Sequence, residues 1–134
     1  MDRTLRISRS ALARIVAHAG ASGAEVCGLL LDAGEGAEPH PCANVHPTPA
    51  THFELDPAAL IAAYRTARDG GPKVIGHYHS HPSGDAMPSI ADAAQAAGDG
   101  AVWLIVAGRE ARAWRATRDG AVHGRFDPLR IVSH

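Results

Sequence analysis

The chain has 134 residues, of which 46% are hydrophobic, a net charge of -1 and a pI near 6.7, enough for one domain over residues 1–134 with a packed core. No Lys/Arg block stands out, so nucleic acid and anionic membranes are poor partners. No apolar run approaches the ~18 residues that cross a bilayer, and Met1-Asp2-Arg3-Thr4-Leu5 lacks a signal-peptide core, so a cytoplasmic protein is expected.

Leu5-Arg6-Ile7 reads as a short strand. Ser8 or Ser10 can cap a helix to about Ala19, with Leu12, Ile15, Val16 and Ala19 on one face. Val26 to Leu31 is an apolar run of strand length, expected to be buried on both faces. Asp32 to Gly36 is a turn. His40 to Val45 suggests a strand interrupted by Pro41, and Phe53-Glu54-Leu55 another short one. Asp56-Pro57 opens a helix to about Arg68, since proline suits the first helical position. Val74 to Ser80 is a strand, and Pro82 to Pro88 an irregular loop. Ser89 opens a helix through Ala97, and Val102 to Ala107 is a strand. Arg109 to Thr117 and Ala121 to Phe126 suggest a hairpin around Asp119-Gly120. The expected class is α+β, a mixed central sheet flanked by helices. With aromatics at 4%, the core should be mostly Ala, Val, Leu and Ile. Cys27 and Cys42 form no C-x-x-C pair and read as thiols in a reducing compartment.

The chemistry concentrates in His79-Ser80-His81-Pro82 and Ser89-Ile90-Ala91-Asp92, an H-x-H-x7-S-x2-D pattern within fourteen residues. Residues i and i+2 of a strand share a face, so His79 and His81 point together. Two imidazoles and a carboxylate take three corners of a zinc tetrahedron and leave the fourth open, the layout of a catalytic site. Each half has a plainer reading alone. Ser89-x-x-Asp92 is a capping box, and histidines at a strand end can be surface residues. A zinc hydrolase also needs a general base. Glu25, just before the apolar strand, is one candidate, with Glu35, Glu38, Glu54 and Glu110 as rivals.

Glu25-x-Cys27-Gly28-Leu29-Leu30, then Gly76-x-Tyr78-His79-Ser80-His81-Pro82, then Pro88-Ser89-x-x-Asp92, resembles the JAMM (MPN-plus) metalloprotease family, compact bacterial stand-alone type. The resemblance implies a fold like that of the cytidine deaminases and one catalytic zinc. By motif position it makes His79, His81 and Asp92 the ligands, with water fourth. It makes Glu25 the general acid/base and Ser89 the hydroxyl that supports the water or the oxyanion. His77 departs from the usual aliphatic or aromatic residue and shares the ligand face. It lies ~6.6 Å further back along the strand, so it reads as packed or supporting rather than ligating. Cys27 reads as a small core residue rather than a thiolate near the metal. His18, His40, His46, His52, His123 and His134 have no partner spacing. Arg109, Arg112 and Arg115 suggest a solvated face or a partner-binding one. Asp85 and Met87 sit in the site loop, facing substrate or water.

The family implies hydrolysis of peptide or isopeptide bonds after the glycine tail of ubiquitin and its relatives. Only 42 residues follow Asp92, which leaves little room for ubiquitin-gripping insertions. Compact bacterial relatives point to a ubiquitin-like sulfur carrier as substrate. Three alternatives stay open: a JAMM-type peptidase acting on cell-wall or other small peptides, a non-catalytic MPN-type zinc-binding interaction module, and a zinc-stabilised structural module, against which an open ligand set with one carboxylate argues. The oligomeric state is not readable.

Overall fold

The computed structural model describes residues 3–134. Its elements are β1 (Thr4–Ile7), α1 (Arg9–Gly20), β2 (Cys27–Asp32), β3 (Ala37–Cys42), α2 (Pro57–Arg68), β4 (Val74–Ser80), α3 (Ile90–Gln95), β5 (Val102–Ala107), β6 (Glu110–Gly120) and β7 (Gly124–Ser133). The strands form a seven-stranded sheet in the order β1-β7-β6-β5-β4-β2-β3. The β1–β7 and β4–β5 pairs are parallel and the others antiparallel, so the sheet is mixed, as expected.

Strand alternation gives the sheet two different faces. Leu5, Ile7, Leu30, Tyr78, Leu104 and Val106 pack with Ala11 and Ile15 of α1. Each fully buried Leu or Ile contributes about 1.5–3 kcal/mol there. On the opposite face, Phe53, Trp103, Trp114 and Phe126 pack with Cys27, Ile105, Ala86 and Ala93. All Trp and Phe residues of the chain lie in this second core. The expectation of an aliphatic core therefore holds for the α1 face only. Helix α2 is laid loosely over the aromatic face. None of its residues is buried, and Ile61 and Tyr64 are exposed.

Local signals placed most elements. Ser8 caps α1 by accepting from Ala11 N at 3.0 Å, and Asp56 caps α2 by accepting from Ala58 N at 3.1 Å. Four expectations need correction. Strand β3 spans Ala37–Cys42 rather than His40 to Val45. It is an edge strand in which Pro39 and Pro41 alternate opposite Leu30 and Gly28, and edges tolerate a missing N–H. Phe53 to Leu55 is not a strand but holds one isolated bridge, Asn44–Leu55. Helix α3 ends at Gln95 because Ala96 turns extended and packs into the aromatic core. The β6–β7 reversal falls at residues 121–123, with His123 at φ 52. The Asp127 carboxylate accepts from Ala121 N at 3.0 Å and holds the turn there.

Candidate metal centre

Strand β4 and helix α3 bring the cluster together. His79 and His81 present their Nε2 atoms 3.2 Å apart. Asp92 reaches them because the capping box fixes it: Ser89 Oγ accepts from Asp92 N at 3.0 Å, and Ser89 N donates to Asp92 Oδ2 at 2.9 Å. Its carboxylate oxygens lie 3.2 Å from His79 Nε2 and 3.2 Å from His81 Nε2. The capping and ligand readings of Asp92 are therefore met by one conformation. The three donor atoms all lie within 4.8 Å of one another, and His77 and Cys27 are outside the group.

A hydrogen bond selects the tautomer of His81. His81 Nδ1 lies 2.7 Å from the Asp85 carbonyl, which can only accept, so Nδ1 carries a proton and a neutral ring offers its Nε2 lone pair. His79 is fully buried, with Phe53 stacked on its ring at 4.2 Å. Burial lowers the His79 pKa and keeps the ring neutral. Burial opposes ionisation of Asp92, but hydrogen bonds from His79 and His81 outweigh it and hold the carboxyl well below its usual range. Burial would lower His81 too, yet its bonds to Asp92 and Asp85 and the charge of Asp92 raise it. Two imidazole nitrogens and one carboxylate converging on one point suit a single zinc ion with an open fourth position.

Glu25 lies alongside. Cys27 pairs with His79 across β2–β4, and Ser80 N donates to Val26 O at 3.0 Å, so the same register brings Glu25 opposite His81. Glu25 is only 8% exposed. Burial pushes its carboxyl up to about 7, with His81 opposing and Asp92 adding to the rise. The rivals lack this setting. Glu35, Glu54 and Glu110 are exposed, and Glu38 pairs with Arg14 at 2.8 Å.

His77 and Cys27 take the packing roles that their sequence reading gave them. His77 packs against Phe53 and Trp103, with ring centroids 5.2 and 4.4 Å away. Burial pulls its pKa down to about 3, so it is neutral. Cys27 is buried, its thiol pushed up to about 12 by burial, which leaves no thiolate for a metal. Both cysteines are free. Asp85 and Met87 serve the loop itself: Asp85 Oδ1 accepts from Met87 N at 3.1 Å, and Arg112 donates to the Met87 sulfur at 3.0 Å. Arg112 also lies 4.8 Å over Trp114, and Arg115 donates to Gly100 O at 2.8 Å. Four histidines without partner spacing have partners after all: His18 Nδ1 lies 2.7 Å from the Tyr78 hydroxyl, His123 Nε2 lies 2.9 Å from Pro88 O, His46 Nδ1 accepts from Thr48 N at 3.0 Å, and His52 Nδ1 lies 2.8 Å from Thr51 Oγ1. The sequence reading missed Trp114, whose indole donates to Ala86 O at 3.1 Å inside the site loop, and Asn44. Neither stands in a motif.

Comparisons with known proteins show the family of the chain. Residues 8–117 match the family described as prokaryotic homologs of the JAB domain. The chain is similar to a desampylase of Haloferax volcanii, 40% identical over 110 residues, which cover 75% of this chain and 79% of that protein. It is also similar to a probable TtuB-protein conjugate cleaving protease of Thermus thermophilus. That match is 43% identical over 56 residues, or 42% of this chain and 38% of the relative. The solution structure of a Desulfitobacterium hafniense protein superposes with a TM-score of 0.79 at 26% identity, covering 96% of this chain and 92% of that one. With its matched segment running from the cap of α1 into β6, the chain belongs to the family of prokaryotic JAB-domain homologues.

Proposed function

We infer that this chain is a zinc-dependent peptidase and isopeptidase that cuts after the C-terminal glycine tail of a ubiquitin-like protein, with sulfur carriers as the substrate class. The carrying observation is the buried His79-His81-Asp92 cluster with a protonatable Glu25 beside it. The names of the two relatives, a desampylase and a conjugate-cleaving protease, support the same reaction class.

His79, His81 and Asp92 would hold the zinc ion. When bound there, zinc acidifies a water molecule and polarises the scissile carbonyl. Glu25 would take a proton from the attacking water and pass it to the departing amine nitrogen, a task suited to a carboxyl near 7. The Ser89 oxygen already accepts from Asp92 N, so its hydroxyl proton stays free to donate to the carbonyl oxygen as negative charge develops. The Asp85 carbonyl keeps the His81 ring in the tautomer that offers Nε2. A diglycine tail fits because a strand without side chains can lie close beside the cluster.

Two substrates test the reading by intact mass: a ubiquitin-like protein joined by its terminal glycine to a lysine side chain, and a sulfur carrier with one residue added after Gly-Gly. Release of the free Gly-Gly terminus is expected from both, lost on chelation and restored by zinc. Intact substrates after long incubation with protein carrying one zinc per chain would overturn the peptidase assignment. Cleavage of the first substrate alone would overturn the sulfur-carrier assignment.

A further inference from the structure

We propose that Asn44 is a positioning residue for Glu25, and that through it the segment between β3 and α2 aims the catalytic carboxylate. The inference rests on Glu25 being the base. Glu25 precedes β2, in a stretch without helix or strand, so the sheet ladder does not fix its peptide groups. The segment after β3 holds them instead. Glu25 N donates to Pro49 O at 2.7 Å, and Glu25 O accepts from Asn44 Nδ2 at 2.9 Å.

Asn44 is itself fully committed. Nδ2 also donates to His52 O at 2.9 Å. Oδ1 accepts from His46 N at 3.1 Å and from Glu54 N at 3.0 Å. Two donors face carbonyls and the oxygen faces two N–H groups, so the partners fix the orientation of the amide and use all four of its bonding positions. No other side chain of that size supplies two donors and two acceptors here. Aspartate would bring a carboxylate against the Glu25 and His52 carbonyls. The amide thus ties three points of the segment to the backbone of one residue. The metal ligands come from β4, the residue that follows it and α3, and none of the four hydrogen bonds of Asn44 goes to them. Its loss should therefore act on Glu25 and spare the metal.

The test measures zinc content, melting temperature, kcat and KM for Asn44→Asp and Asn44→Ala, each in the wild-type and Glu25→Ala backgrounds. The substrate is the isopeptide-linked conjugate, with enzyme in excess for the slow variants. Asn44→Asp is expected to lower kcat by about 10- to 100-fold with KM and zinc content unchanged. In the Glu25→Ala background the same change should cost nothing further. Unchanged kcat in both Asn44 variants, with Glu25→Ala inactive, would overturn the proposal and leave the base assignment standing. An equal further loss in the Glu25→Ala background would also overturn it, since Asn44 would then act elsewhere. Wild-type turnover in Glu25→Ala would remove the base assignment and this inference together. Should the Asn44 variants fail to fold, exchange of the Asn44 side-chain amide protons in the 15N-labelled wild type decides. Slow exchange supports the clamp, and exchange at the solvent rate overturns it.

Discussion

At the residue scale, Glu25 joins a stability cost to the base role proposed for it. Its carboxyl moves from its ordinary value of 4.5 to about 7 on folding, mainly through burial. Between those values the folded chain holds a proton that the unfolded chain has released. The Glu25 contribution to stability is thus fully present below pH 4.5 and lost as pH rises to about 7. Glutamine at this position keeps the shape without titrating. In chelated protein, the melting-temperature difference between Glu25→Gln and wild type should therefore move in favour of the variant from pH 5 to pH 8. A difference independent of pH would show that Glu25 does not titrate differently in the fold. Asp92 works in the opposite sense, since its bonds to the two histidines favour the charged form. The site thus holds one carboxylate ionised and a second poised to exchange a proton.

The elements bearing the site differ in how plainly the sequence announces them. Strand β4 and the capping box of α3 were legible because period-two spacing and Ser-x-x-Asp are local signals. The central strands β2 and β5 were legible as apolar runs. Strand β7 beyond Phe126 was not, since it contains Pro128 and pairs in parallel with β1 from the far end of the chain. Among the described residues, β1 pairs with Arg130 to Ser133, beyond Pro128. The support for the site loop was equally hidden. Trp114 of β6 holds Ala86, whose neighbour Asp85 orients His81, a relay built from long-range packing with no spacing to betray it. A second requirement on β4 is close approach to β5. A Cβ on Gly76 would collide with the backbone of Val102. Gly76→Ala is therefore expected to destabilise the fold by about 1–3 kcal/mol and to weaken zinc binding, because His79 lies on the same strand and His81 directly follows it. Urea unfolding with zinc titration checks both, and wild-type values would show that β4 and β5 part without consequence.

At the scale of the whole molecule, the cluster sits on a sheet with a packed core on each face. These cores are expected to hold the fold together without a metal, in contrast to small domains that fold only around zinc. Chelation should leave the far-ultraviolet dichroism unchanged and the chain folded at 25 °C, with the melting temperature lowered only by the lost binding energy. Unfolding on chelation would make the metal structural. Among the described residues no helix is long and apolar enough to cross a membrane.

The most direct test of the central claim compares wild type and Glu25→Ala, each brought to one zinc per chain, for cleavage of a glycine-tailed ubiquitin-like conjugate followed by mass. Equal zinc content with turnover lowered by about 10²- to 10⁴-fold in the variant is the predicted result. Wild-type turnover in Glu25→Ala would contradict the account, and so would a loss of activity that merely follows a loss of zinc.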